Sequence, residues 1–174
     1  MDLASPRPMG LALRTRRLGR HGERNVGDSG EETLNQYPVE VRLRVRWGDM
    51  DAFQHVNNTV FFKWFEDARI AYFEASGVLG YRASTRVGPI LAASSCRFRR
   101  PVTWPDHVRV GARVEDVQED RFTMGYCAVS EATGEVVATG DGLVVCYDYD
   151  GEHKAPLPEP ILEGIRRVEA TRRT

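Results

Sequence analysis

The stretch Arg46-Trp47-Gly48-Asp49-Met50-Asp51-Ala52-Phe53-Gln54-His55-Val56-Asn57-Asn58 gathers carboxylates, an imidazole and two side-chain amides just ahead of a long apolar run. Residue types and spacing here fit a loop that ends a strand and delivers polar groups to a helix N-terminus. The first backbone N–H groups of such a helix lack partners within it and sit at the positive end of its dipole. They can polarise a carbonyl or hold a developing oxyanion. A neighbouring carboxylate can act as nucleophile or as general base for water. Acid, donors and an apolar helix to line a pocket point to acyl transfer or hydrolysis. The spacing alone leaves a second use for the same acid, since an aspartate ahead of a helix often serves as a cap or turn residue.

The elements that must position these groups follow from periodicity. Val39, Val41, Leu43, Val45 and Trp47 alternate with Glu40, Arg42, Arg44 and Arg46, a strand with one solvated face. A helix is expected from Asn58 to Ser76, capped by Asn57 or Asn58 and stopped at Gly77. Its apolar residues cover most of its circumference, and Lys63, Glu66, Asp67 and Glu74 leave only a narrow polar stripe, so most of it should be buried. Glu66 and Arg69, one turn apart, read as an ion pair. Strands are then expected over Ile90–Phe98, His107–Val117, Arg121–Ser130 and Val136–Tyr149, joined by short loops and therefore antiparallel. Beyond Asp150-Gly151 the chain is proline-rich, and a short helix follows from Ile161 to about Val168. Strand, long buried helix and four further strands make an α+β arrangement, one curved five-stranded sheet wrapped around the helix.

Composition narrows the function classes. The chain has 174 residues, 24 basic and 25 acidic, with a net charge of −1, which argues against a nucleic-acid binder. Only two of the basic residues, Lys63 and Lys154, are lysines. Cys96, Cys127 and Cys146 are odd in number and widely spaced, as in a reduced cytoplasmic protein, and Cys96 and Cys127 read as small core residues. The four histidines form no metal-binding pattern, and no apolar run is long enough to span a membrane. Residues 1–36, rich in Gly, Pro and mixed charge, read as a flexible extension; 37–158 form the folded domain, and 159–174 a short helix or tail.

The element order and the string WGDMDAFQHVNNTVFFKWFEDARIAYF resemble the hotdog-fold thioesterases, above all the 4-hydroxybenzoyl-CoA thioesterase-like branch of acyl-CoA thioesterases. The resemblance runs from about Val39 to Pro158 and centres on a G-D-x-D-x-x-x-H-x-N-N pattern. It implies that Asp51 rather than Asp49 is the catalytic carboxylate, and that the backbone N–H of Asn58 polarises the thioester carbonyl. Some relatives carry His at that position, and this chain does not. The string Gln54-His55-Val56-Asn57-Asn58 also resembles the plant acyl-ACP thioesterases, which makes His55 a further catalytic candidate. Phe53, however, stands where those enzymes have Asn, and Phe98-Arg99-Arg100-Pro101 where they have an acidic partner.

The resemblance further implies an acyl-CoA substrate, no separate cofactor, and a homodimer or homotetramer whose site lies between subunits. Asn57 and Phe61 are the expected substrate contacts near the helix start. Arg97, Arg99 and Arg100 can hold the CoA phosphates by bidentate contacts, with Lys154 as a further phosphate ligand. Alternatively, the three arginines form a solvated strand end paired with acids such as Glu115 or Asp116. Two other readings on the same fold are a non-catalytic acyl-CoA-binding module and, lacking its His/Asp signature, a dehydratase.

Overall fold

The computed structural model describes residues 29–172. Its first element is α1 (Gly30–Leu34), inside the stretch read from sequence as an extension. The strand β1 (Val39–Arg44) follows, with Glu40, Arg42 and Arg44 exposed and the alternate residues turned inward, as period two requires. A 3-10 turn at Trp47–Asp49 leads to the long helix α2 (Asn58–Ser76) and then α3 (Val78–Thr85). The strands β2 (Val87–Phe98), β3 (His107–Val117), β4 (Arg121–Ser130) and β5 (Val136–Asp148) come next. The two-residue β6 (His153–Lys154) and the helix α4 (Glu159–Glu169) complete the described chain.

The sheet order is β1-β3-β4-β5-β2, all antiparallel, and the short β6 pairs with β5 beside the five strands expected from sequence. Register shifts in three of the strand pairs add local bend. The inner face presents Val108, Val110, Ala112, Phe122, Met124 and Tyr126 to α2. Phe65 of α2 stacks on Tyr126 with ring centroids 4.9 Å apart, and Phe73 meets Phe122 edge-on. Each such buried aromatic contributes on the order of 1.5–3 kcal/mol. The start and end of α2 coincide with its sequence signals. Asn57 caps the N-terminus, and Gly77 takes the left-handed conformation (φ 82°) at the C-terminus. Phe62 and Ile70 are nonetheless exposed, so the solvated side of α2 is wider than its polar residues predict.

Two docked segments extend the packing. Ser29 and Glu32 form a reciprocal capping box on α1, and Leu34 is buried on the outer face of the sheet with Cys127 and Val129. Gly111 makes room for this contact, because a Cβ there would meet the Tyr37 ring at 2.6 Å. Arg113 lies over that ring and bonds Gln36, while Arg109 pairs with Glu31. At the other end, α4 buries Ile161, Ile165 and Val168 in the main core. Gly164 lets it approach the end of α2 so closely that a Cβ would stand 2.0 Å from the Ser76 carbonyl oxygen.

Candidate active site

The loop between the 3-10 turn and α2 is closed by backbone bonds. The Asp51 N–H donates to the His55 carbonyl at 3.0 Å, and the Gln54 N–H returns to the Asp51 carbonyl at 2.9 Å. Gln54 takes a left-handed φ of 63° to make this turn. The Val56 N–H donates to the Val102 carbonyl, which ties the loop to the segment between β2 and β3. Asp51 is thereby held on the wall of a recess of about 470 Å³, lined also by Trp47, Met50, Gln54, Thr103 and Trp104.

Asn57 links Asp51 to the helix. Its Oδ1 accepts from the Thr59 N–H (2.9 Å) and the Thr59 hydroxyl (2.7 Å), the cap expected from sequence. An oxygen that receives a backbone N–H fixes the amide orientation, so Nδ2 must point the other way. There it donates to Asp51 Oδ2 at 3.3 Å, while Asp51 Oδ1 accepts the Phe53 N–H at 2.8 Å. Asp51 is therefore a turn residue as well as the acid on the recess.

One backbone donor at the start of α2 is left over. The Asn57 N–H donates to the Asp49 carbonyl, the Thr59 N–H to the Asn57 side chain and the Val60 N–H to the Asn57 carbonyl. The Asn58 N–H has no acceptor among the described residues. It is next in the chain to the amide that holds Asp51, at the positive end of the helix dipole.

The structure separates the two aspartates. Asp49 Oδ2 accepts the Arg46 N–H at 2.7 Å and closes the 3-10 turn. Asp51 lines the recess. His55 supports the loop through its carbonyl; its ring is exposed and makes no hydrogen bond among the described residues. Phe53 is 83 % exposed, so it does not fill the recess of its own chain. Phe61, expected from sequence as a substrate contact, is buried behind Phe98, edge-on at 5.2 Å, whereas Phe98 and Phe62 are exposed.

Arg97, Arg99 and Arg100 are exposed at the end of β2, as expected of either reading of them. The acid that meets them is Glu135, 3.5 Å from Arg100, whereas Glu115 is taken by Arg113. Lys154 does not join this cluster within one chain. Arg97 pairs with Thr139 at one end of β5, and Lys154 with Tyr147 toward the other, roughly 26 Å along the strand. The expected pair of Glu66 with Arg69 is also absent. Glu66 lies 3.9 Å from Lys63, while Arg69 turns inward, 8 % exposed, and donates to the Tyr126 hydroxyl. Helical phase explains this, since Arg69 is four residues from both Phe65 and Phe73 on the buried stripe.

Sequence reasoning overlooked the side of the recess supplied by Thr103 and Trp104. Pro101 and Pro105 mark that segment as a loop, but nothing local shows that it folds back onto residue 56. Among the described residues no group of three or more His, Cys, Asp or Glu could hold a metal ion, and no helix is long and apolar enough to cross a membrane.

Comparison with known proteins shows the family of the chain. The model of the thioesterase-like superfamily matches residues 45–165. The long-chain acyl-CoA thioesterase FadM of Escherichia coli K12 is 21 % identical over 130 residues, 75 % of this chain and 98 % of FadM. A solved thioesterase from Thermus thermophilus, complexed with coenzyme A and Zn, is 34 % identical with a TM-score of 0.68, over 78 % of this chain and 96 % of that one. Slr0204, a 1,4-dihydroxy-2-naphthoyl-CoA thioesterase from Synechocystis, shares the fold at 19 % identity and a TM-score of 0.66, over 74 % and 95 % of the two chains. Fold and comparisons together define a hotdog protein of the thioester hydrolase class. The chain belongs to the thioesterase-like superfamily.

Proposed function

We propose that the protein hydrolyses acyl-CoA thioesters to free acid and CoA, with Asp51 as the catalytic carboxylate and the Asn58 N–H as the carbonyl-polarising donor. The observation that carries this reading is the junction itself. The acid on the recess and the helix donor left without an acceptor are joined by a single oriented amide, Asn57. A thioester carbonyl that accepts the Asn58 N–H turns its carbon toward Asp51. As general base, Asp51 takes a proton from water while the oxygen adds to the carbonyl carbon. As nucleophile, it adds directly, and water then cleaves the mixed anhydride. In both routes the carbon–sulfur bond breaks and the departing thiolate takes up a proton. Charge on the carbonyl oxygen grows in the transition state, so the helix donor favours that state over the ground state.

The chain acts as a homodimer or homotetramer in this reading. β2 is the edge strand of the sheet, and Leu91–Ser95 and Phe98 along it are exposed, as are Phe62 and Ile70 of α2. A second copy covering this edge satisfies its backbone groups and buries the apolar residues. The exposed Arg97, Arg99 and Arg100 supply charge for CoA phosphates at the outer end. No cofactor is needed beyond the CoA of the substrate. The free thiols of Cys96, Cys127 and Cys146 fit a reducing cytoplasm.

The test is a panel of short, long and aromatic acyl-CoAs offered to the purified protein, with free thiol release as the readout. Turnover of at least one class is expected. Tight binding by calorimetry without turnover of any member would replace this reading with that of a binding module.

A further inference from the structure

Gln54 stands where the backbone asks for glycine. The Asp51 N–H donates to the His55 carbonyl and the Gln54 N–H to the Asp51 carbonyl, the two bonds of a hairpin loop formed by Ala52, Phe53 and Gln54. In such a loop a type I turn is followed by one left-handed residue, and glycine fills that place without strain. Gln54 fills it at φ 63°, against the preference of its side chain. Arg86 and Glu152 are the other left-handed residues besides glycine among the described residues. The Arg86 guanidinium holds Asp150 at 2.8 Å, so its side chain has a task. Glu152 lies in the exposed turn between β5 and β6, where a left-handed residue serves the turn alone. Gln54 differs from both in its surroundings, because it lines the recess of about 470 Å³ that Asp51 also lines.

The Gln54 side chain supports neither the turn nor the wall. It is exposed, and its carboxamide bonds no described residue. That group offers both a carbonyl acceptor and N–H donors. Asp51 also has capacity to spare. Its Oδ1 accepts the Phe53 N–H and its Oδ2 the Asn57 amide, and each carboxylate oxygen has a further lone pair. A water at Asp51 donates one hydrogen to it. That single bond leaves the water free to swing, so its lone pair is not aimed at a carbonyl carbon. A second acceptor removes this freedom. Besides Asp51, only Gln54 and Thr103 bring a side-chain oxygen to the recess. Of these two, Gln54 is tied to Asp51 directly, by its own N–H at 2.9 Å across one turn.

We propose that Gln54 is a second catalytic side chain, which orients the attacking water by accepting the hydrogen that Asp51 does not take. This assignment rests on the thioesterase reading, with Asp51 as general base. The water oxygen adds to the thioester carbonyl carbon while one proton passes to Asp51. The other hydrogen, held by Gln54 Oε1, stays on the hydroxyl of the new acid. The carbon–sulfur bond then breaks, and the thiolate takes the proton from Asp51.

The experiment compares wild type with Gln54→Gly and Gln54→Met on one good acyl-CoA. Both variants lose the carboxamide. Glycine also relieves the left-handed backbone, whereas methionine keeps the length of the side chain and the strain. The expected result is a fall in kcat of about tenfold to a hundredfold in both, the range of a misplaced reactant. KM should stay within about twofold of wild type, because no contact to the thioester is removed. The denaturation midpoint of Gln54→Gly should equal or exceed that of wild type, so that stability and activity move apart. Methanol, added as a competing nucleophile, reads the orientation of water itself. Its one hydroxyl hydrogen goes to Asp51, and Gln54 has nothing to hold. The ratio of methyl ester to free acid should therefore rise by about tenfold or more in both variants. An unchanged ratio would overturn the proposal, as would a wild-type kcat in either variant. A raised KM at wild-type kcat would overturn it too, since Gln54 would then be a substrate contact. A wild-type protein that hydrolyses no acyl-CoA removes the thioesterase reading and this proposal together, whereas active wild type beside an equally active Gln54→Gly removes this proposal alone.

Discussion

Replacing Asn57 by Asp keeps one of its duties and reverses the other. An aspartate caps a helix as well as an asparagine does, so the bond from the Thr59 N–H survives. The atom that faces Asp51 changes from a donor to a carboxylate oxygen, 3.3 Å from Asp51 Oδ2 in the present geometry. Two unit charges at that distance repel by about 5 kcal/mol at an effective dielectric constant of about 20. Both residues are partly exposed, and water screening lowers this to about 2 kcal/mol. At 1.36 kcal/mol per pH unit, the coupled pair should take up its first proton about 1–2 units higher than Asp51 does alone. A catalytic Asp51, as proposed, must be ionised for hydrolysis, so on that proposal the acid limb of the kcat/KM profile moves upward by that amount. Asn57→Ser is the control: it keeps a capping oxygen, loses the donor to Asp51 and adds no charge, so its limb should move by less than about half a unit. The assay is thiol release from one good acyl-CoA across the pH range. An Asn57→Asp limb superimposable on wild type would refute the placement of Asn57 against a catalytic Asp51.

Three further outcomes follow from packing and burial. Gly164→Ala forces a methyl group into the Ser76 carbonyl and should destabilise the protein by about 1–3 kcal/mol in denaturant titration. Leu34→Ala should cost about 2–3 kcal/mol, whereas a free extension would make it neutral, so chemical denaturation tests whether α1 is part of the fold. Burial pushes the Cys127 thiol up to about 12 and Cys96 up to about 11, and raises Cys146, so all stay as unreactive thiols near neutral pH. A chromogenic disulfide should therefore label the native protein slowly and reach three thiols per chain only after unfolding.

Much of this architecture is legible locally. The limits of α2 follow from Asn57 and Gly77, and the strand alternation appears one residue at a time. What escapes a local reading depends on contacts far apart in the chain. α1 resembles a tail because its one large buried side chain needs the gap at Gly111, more than seventy residues away. Arg69 has the spacing of a surface ion pair with Glu66, yet the phase of α2 turns it inward to Tyr126. The Asn57 amide reads as a cap, and it is one; its second bond, to Asp51, depends on the turn at Gln54. Lys154 and the Arg97 cluster share a charge but not an end of the sheet.

The most direct measurement of the central claim is the rate of acyl-CoA hydrolysis by Asp51→Asn beside wild type, with thermal unfolding of both. The substitution keeps the shape and removes the charge that would attack or activate water. A catalytic Asp51 predicts a fall in kcat of at least about a hundredfold, as for loss of a general base, with the melting temperature shifted by no more than a few degrees. A variant that folds normally and retains the wild-type rate would contradict it.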